Sequence, residues 1–125
     1  MHLQKNIICK CYRIGNIFIY LYMRVIAAKT LKEYIREFHQ AEHALLSWYD
    51  EAILAEWNNS AELKMQYKNA SILSNKRVVF NIHSNTYRLI VAIEYRLKIV
   101  FVVWLGTHKQ YDNIDAKTIS YVKAN

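Results

Sequence analysis

A mixed α+β fold, with helices packed on one face of a mainly antiparallel sheet, is predicted by three features of the sequence. Apolar residues recur at helical spacing between positions 31 and 57. After position 76 the period changes from 3.6 to 2, and three β-branched and aromatic segments follow one another. The 125 residues, 54% hydrophobic and 22% charged, are enough for one domain with one core and are not a disordered composition. Proline is absent and glycine occurs only twice, so no flexible linker is visible, and there is no internal repeat.

The elements are read in chain order. Residues 1–22, MHLQKNIICKCYRIGNIFIYLY, are apolar and basic. Lys10 and Arg13 interrupt the apolar run and leave only residues 14–22, far short of the ~20 residues that span a bilayer, and no small-residue cleavage site follows. The expected domain therefore starts at Met23, and the leader is either an additional strand or an upstream over-extension of the reading frame. Residues 24–27 read as a short strand. Thr30 to Glu33 is T-x-x-E, a capping box, and Leu31, Tyr34, Ile35 and Phe38 then share one helical face. A second helix is expected over 42–57, with Leu45, Leu46, Tyr49, Ala52, Ile53 and Trp57 inward and Ser47, Asp50 and Glu51 outward. Asn58, Asn59 and Ser60 break it, and a short helical turn follows at 61–67.

Strands are then expected at 77–82, 86–94 and 98–105, with HSN (83–85) as a hairpin loop. A closing helix is expected over 113–122, with Asp112 as its cap. The order is thus β-α-α-β-β-β-α. Strand alternation sorts the side chains. Val78, Phe80 and Ile82 share a face with Tyr87, Leu89, Val91 and Ile93, while Arg77, Asn81 and Arg88 stand on the face that the helices leave uncovered.

Charge is unevenly placed within a net of +7. Residues 23–62 carry four basic and seven acidic side chains, whereas 63–111 carry eight basic side chains and one acid, Glu94. A basic half suits a polyanion such as nucleic acid, and it is equally the mark of a lysine-rich solvated surface. Cys9 and Cys11, the only cysteines, are too close to staple a domain and are half of a zinc site, which points to a reducing compartment.

The segment GTHKQYD, 106–112, follows the apolar run IVFVVWL, 99–105, and gathers His108, Lys109, Tyr111 and Asp112 within five residues. In a helical turn, His108, Tyr111 and Asp112 share one side. A histidine there can move protons near neutral pH, though spacing alone favours one that merely closes a turn, because no second motif confirms a site. Tyr111 reads as a general base, as a stacking surface or as core edge. Lys68, Lys76 and Lys109 read as phosphate partners or solvated surface, and His39 and His43 as surface. The motifs of nucleophilic hydrolases, nucleotide-binding loops and zinc proteases are absent. With one carboxylate between 63 and 111, a two-metal nuclease site is not supported, so any phosphoryl chemistry there is expected to rely on cations and proton-moving side chains, with no metal and no cofactor.

RVIAAKTLKEY, WYDEAILAEW, YKNASIL, RVVFNIHSNTYRLIVAIEY and WLGTHKQYDNIDAKTI, taken together, resemble the HigB group of bacterial toxins in the RelE/ParE-like superfamily of type II toxin–antitoxin systems. The most distinctive pair is VFNI-x-x-N-x-YRL with GTH-x-x-YD-x-ID, and the likeness runs from Met23 to about Ile119. The resemblance implies a toxin domain at 23–125, preceded by a non-family extension at 1–22. It implies a cytoplasmic, ribosome-dependent mRNA endonuclease, an mRNA interferase that needs no metal. Its partners would be the ribosome, mRNA and a HigA-type helix-turn-helix antitoxin, with operator DNA reached only through the antitoxin complex and no membrane. Carried onto matching positions, His108 and Tyr111 are proton-transfer candidates. Arg88 and Arg77 would hold the phosphate, with Lys68, Lys76, Lys109 and Asn81 on the RNA path. The family strand before GTH often carries an arginine where Val103 stands. The superfamily also contains gyrase inhibitors, so the rival expectation is a non-catalytic binder or an inactive toxin.

Overall fold

The computed structural model describes residues 11–14, 17–20, 23–27, 29, 31–74 and 76–120. Cys11–Ile14 (β1) and Ile17–Tyr20 (β2) form an antiparallel pair of their own. Arg24–Ala27 (β3) leads to Leu31–Glu37 (α1), a 3-10 turn at His39–Ala41, Glu42–Leu54 (α2) and Ser60–Gln66 (α3). The strands Ser71–Ile72 (β4), Arg77–Ile82 (β5), Tyr87–Glu94 (β6) and Ile99–Thr107 (β7) come next, and His108–Tyr111 (α4) closes the series. The five-stranded sheet has the order β3-β7-β6-β5-β4. Its β3–β7 pair is parallel and the other three are antiparallel.

The α+β class and the three long strands agree with the sequence reading, and the element order is longer than expected. The two-residue β4 was missed because so short a strand carries no periodicity. The second helix ends at Leu54, because Ala55 is extended and carries the chain to Trp57, which is buried outside the helix. Its buried stripe is Leu45, Trp48 and Ala52, so Trp48 belongs to the inward face and Leu46 is only half-buried. Asn59 both stops that segment and caps α3, its side chain accepting from the Glu62 N–H at 2.9 Å. The T-x-x-E box rests on Thr30, which lies outside the described residues, as do 121 and 122 of the expected closing helix. Within the described part, 113–120 is a series of turns. The helix starts five residues early instead, at His108, and Asp112 ends it.

The helices pack on one face. Tyr34, Leu45, Trp48 and Leu63 meet Val78, Phe80 and Ile82, with Tyr87, Leu89, Val91 and Ile93 beside them, as alternation requires. Phe80 is the hub: its ring lies 4.9 Å from Tyr67 and 5.5 Å from Trp48, both edge-on. Each large side chain so enclosed contributes roughly 1.5–3 kcal/mol, so this face dominates stability. Burial, reinforced by Glu37, pushes the Tyr34 phenol up to about 12, so it is neutral at physiological pH.

The other face is not bare. Val79, Ile90 and Val103 form a second, smaller core closed by Ala116, with Ile114 and Ile119 packed against it. Arg77 holds this cover in place. Its Nη1 donates to the carbonyls of Ala116 at 3.1 Å and Ile119 at 2.7 Å. Asp115 tightens the same turn, accepting from the Lys117 N–H and the Thr118 hydroxyl at 3.0 Å each, and these bonds hold its carboxyl below the usual range.

Replacing Arg77 by alanine removes both charge-assisted bonds. Urea denaturation is expected to show a loss of about 1–3 kcal/mol, and hydrogen exchange is expected to accelerate around 116–119. Unchanged stability would mean that the cover does not depend on Arg77.

Candidate functional site

β7 delivers the candidate site through an irregularity. Ile90 pairs with Trp104 but its neighbour Val91 pairs with Val102, so Val103 is the extra residue of a β-bulge. The bulge places both Val103 and Trp104 on the outer face, while Val102 and Leu105 stay on the helix side. Trp104 then lies across Gly106. A Cβ at that position would stand 2.4 Å from the indole and 2.8 Å from the Gln110 side-chain oxygen, so only glycine fits.

Beyond Gly106, Thr107 caps a single helical turn. Its hydroxyl accepts from the Gln110 N–H at 3.1 Å, and the Gln110 carboxamide accepts from the Thr107 N–H at 2.9 Å. This is a capping box. The string T-H-K-Q at 107–110 was therefore the signal for the helix start, and the Asp112 reading passed over it. The His108 N–H donates to the Thr86 carbonyl at 2.9 Å, which ties the corner to the hairpin between β5 and β6.

That hairpin supplies the cation. Arg88 stands opposite both Asn81 and Gly106. Its guanidinium donates to the Asn85 side-chain oxygen at 2.7 Å and to the carbonyls of Asn85 and Tyr87 at 3.2 and 3.3 Å. A guanidinium has more N–H donors than these bonds use. Its carbon lies 6.0 Å from the centre of the Tyr111 ring, which is itself 6.5 Å from Trp104. His108 stands on the same turn as Tyr111, its side chain 47% exposed, with Nδ1 4.0 Å from the Asp112 carboxylate.

The structure thus brings Arg88, Tyr111 and the His108 turn, which also carries Lys109, to one end of the sheet. Asn81 joins them as the cross-strand partner of Arg88, and Lys68 lines the same pocket as Asn81 and Asn85. Two expected members lie elsewhere. Arg77 and Lys76 sit at the opposite end of β5, with Arg77 four residues from Asn81, or about 13 Å along the strand. Arg77 is committed to the C-terminal cover, and Lys76 is paired with Glu94, whose carboxyl this bond holds low. Alternation put Arg77 on the correct face, but it carries no information about which end of a strand adjoins a site.

Val103 is completely buried in the second core, so an arginine there would meet Ile90, Val79 and Ala116. Asn85 and Trp104 stand in the motifs that carry the resemblance, but the sequence assigns neither of them a part in the site. Among the described residues no helix is long and apolar enough to cross a membrane, and no three His, Cys, Asp or Glu side chains converge as a metal centre would require.

Gly106→Ala is expected to push Trp104 off its seat and loosen the Thr107–Gln110 box. The cost should be about 1–3 kcal/mol in urea unfolding, with altered near-ultraviolet circular dichroism. An unchanged spectrum would show that the indole is not held against Gly106.

Residues 41–114, from the 3-10 turn through α4, match the HigB toxin family, described as the RelE-like toxic component of a toxin-antitoxin system. No curated protein matches the chain. The family match takes in α2, α3, the four strands from β4 to β7 and the whole GTHKQYD corner, more than half of the sequence. The chain belongs to the HigB family of RelE-like toxins, the toxic half of a toxin–antitoxin pair.

Proposed function

We propose that this toxin is an endoribonuclease that cleaves mRNA on the ribosome. The observation that carries the reading is the meeting of Arg88 and Tyr111 on the exposed end of the sheet, with His108 on the same helical turn. In the reaction, the RNA 2′-hydroxyl attacks the adjacent phosphorus. A P–O2′ bond forms and the P–O5′ bond breaks, giving a cyclic phosphate and a 5′-hydroxyl. Only RNA offers that nucleophile.

One group takes the 2′-hydroxyl proton and another returns a proton to the departing 5′ oxygen. His108 and Tyr111 are the pair for these two transfers. Arg88 neutralises the charge that gathers on the phosphorane, and its fork suits the non-bridging oxygens. Lys109, Lys68 and Asn81 flank the path of the strand. Arg77 and Lys76 are left out of this assignment, since the cover and Glu94 occupy them.

Toxin–antitoxin membership implies an antitoxin partner. In this reading it is a HigA-type helix-turn-helix protein that silences the toxin in the cytoplasm and links it to operator DNA. The Arg88 guanidinium lies against the Tyr111 ring, and Lys109 stands on the same turn as that tyrosine, which favours a polyanionic substrate.

Mapping of mRNA 5′ ends by primer extension, after brief expression of the chain, tests the reading. Wild type is expected to give translation-dependent cuts. His108→Ala and Arg88→Ala are each expected to lower cutting by about 10²–10⁴-fold while remaining folded. Growth arrest with intact mRNA would favour the rival, a non-catalytic binder of the same fold such as a gyrase inhibitor or an inactive toxin.

A further inference from the structure

Next to Arg88 lies a pocket of about 630 Å³ that the cleavage chemistry does not use. It opens where β4 stops. β4 covers only Val78 and Val79, so the rest of β5 has an uncovered edge. The Leu73 N–H donates to the Arg77 carbonyl, which shows that Arg77, and with it Val79 and Asn81, turn their backbone groups toward this edge. Four carboxamide residues line the space: Gln66, Asn69, Asn81 and Asn85. Lys68 is the one cation in the lining, and no carboxylate is among the lining residues. The Gln66 oxygen accepts from the Trp57 indole at 2.9 Å, which orients that carboxamide. His83 and Ser84 hold φ of 55° and 57°, an uncommon conformation for non-glycine residues, in the loop that carries Asn85.

We propose that this pocket is a nucleobase-reading subsite, which takes the base of a nucleotide next to the phosphate held by Arg88. The proposal rests on the RNA-cleavage reading above and deepens it. A phosphate subsite would gather cations, whereas this one gathers carboxamides. A carboxamide presents a donor beside an acceptor, the complement of a base edge. The volume is within the ~300–1,000 Å³ of small-molecule sites. Asn85 makes the connection to the chemistry. It is a wall of the pocket, and its side-chain oxygen accepts from the Arg88 guanidinium at 2.7 Å. An occupant therefore lies one side chain from the anion-binding group. An open strand edge also accepts extended peptides, but those are selected by apolar side-chain pockets, and here the lining is mainly polar.

The test is a side-chain amide NMR titration of the full chain with the four ribonucleoside 5′-monophosphates, and with ribose 5-phosphate as the baseless control. The proposal expects saturable shifts of the Asn69, Asn81 and Asn85 amide protons, with about tenfold discrimination between the best and worst base. Ribose 5-phosphate should leave the Asn69 and Asn81 protons unmoved, since its phosphate reaches only Arg88 and the Asn85 bonded to it. Asn69→Ala, a change at an exposed residue, should reduce the discrimination. Equal responses to all four nucleotides and to ribose 5-phosphate would make the pocket a phosphate site and overturn the proposal. No response at all would overturn it too. Primer extension judges the cleavage reading separately. A toxin that cuts mRNA without discriminating bases in the titration keeps its function and loses this subsite. One that discriminates without cutting keeps a base-binding pocket and loses the nuclease.

Discussion

The ladder between β6 and β7 carries two demands that regular pairing cannot meet together. Val91, Ile93, Val100, Val102 and Leu105 must face the helices, because that face supplies most of the apolar burial. Trp104 must face outward beside Tyr111. Strict alternation from Val102 would put Trp104 on the helix face and Leu105 on the outer one. The extra residue at Val103 resets the alternation, keeps Leu105 in the core and delivers Gly106 opposite Arg88. The outer-face cluster of Trp104, Tyr111 and Arg88 follows from that single insertion.

The helix-facing core was readable in advance because it obeys simple periods. Phe80, Leu89 and Val91 fell on the expected face, as did Tyr34. Local sequence could not show the bulge, since Val103 and Trp104 are as suited to a regular strand as their neighbours. Arg88 and Asn81 were legible because cross-strand register brings the same face together over the hairpin. Arg77 shares their face, but the Ala116 and Ile119 carbonyls claim it from about 40 positions away in sequence, a distance that no short-range pattern reports. The closing helix was misplaced because Asp112 is a good cap by type, whereas the actual cap depends on Thr107 and Gln110 bonding reciprocally.

The basic half of the chain proves to be divided by task. Arg77, Lys76 and Lys98 are spent on structure: the C-terminal cover, the Glu94 pair, and the Trp57 carbonyl with the Asn58 side chain, respectively. Arg88, Lys68 and Lys109 lie toward the GTHKQYD end. Net charge alone would have overstated the surface open to a polyanion, and the hydrogen-bond partners of each cation are what separate the two groups.

The parallel pairing of β3 with β7 has a consequence for synthesis. Arg24 must meet Ile99 and Ala27 must meet Val102, across almost the whole domain. Closing so long a loop is slow, and during translation it cannot begin until the last strand has left the exit tunnel. The GTHKQYD corner is made later still, immediately after that strand. A nascent chain therefore has neither a completed sheet nor this corner until β7 and α4 have emerged. The order of the elements has α1, α2 and α3 made before the sheet they cover can close, and the corner follows that closure.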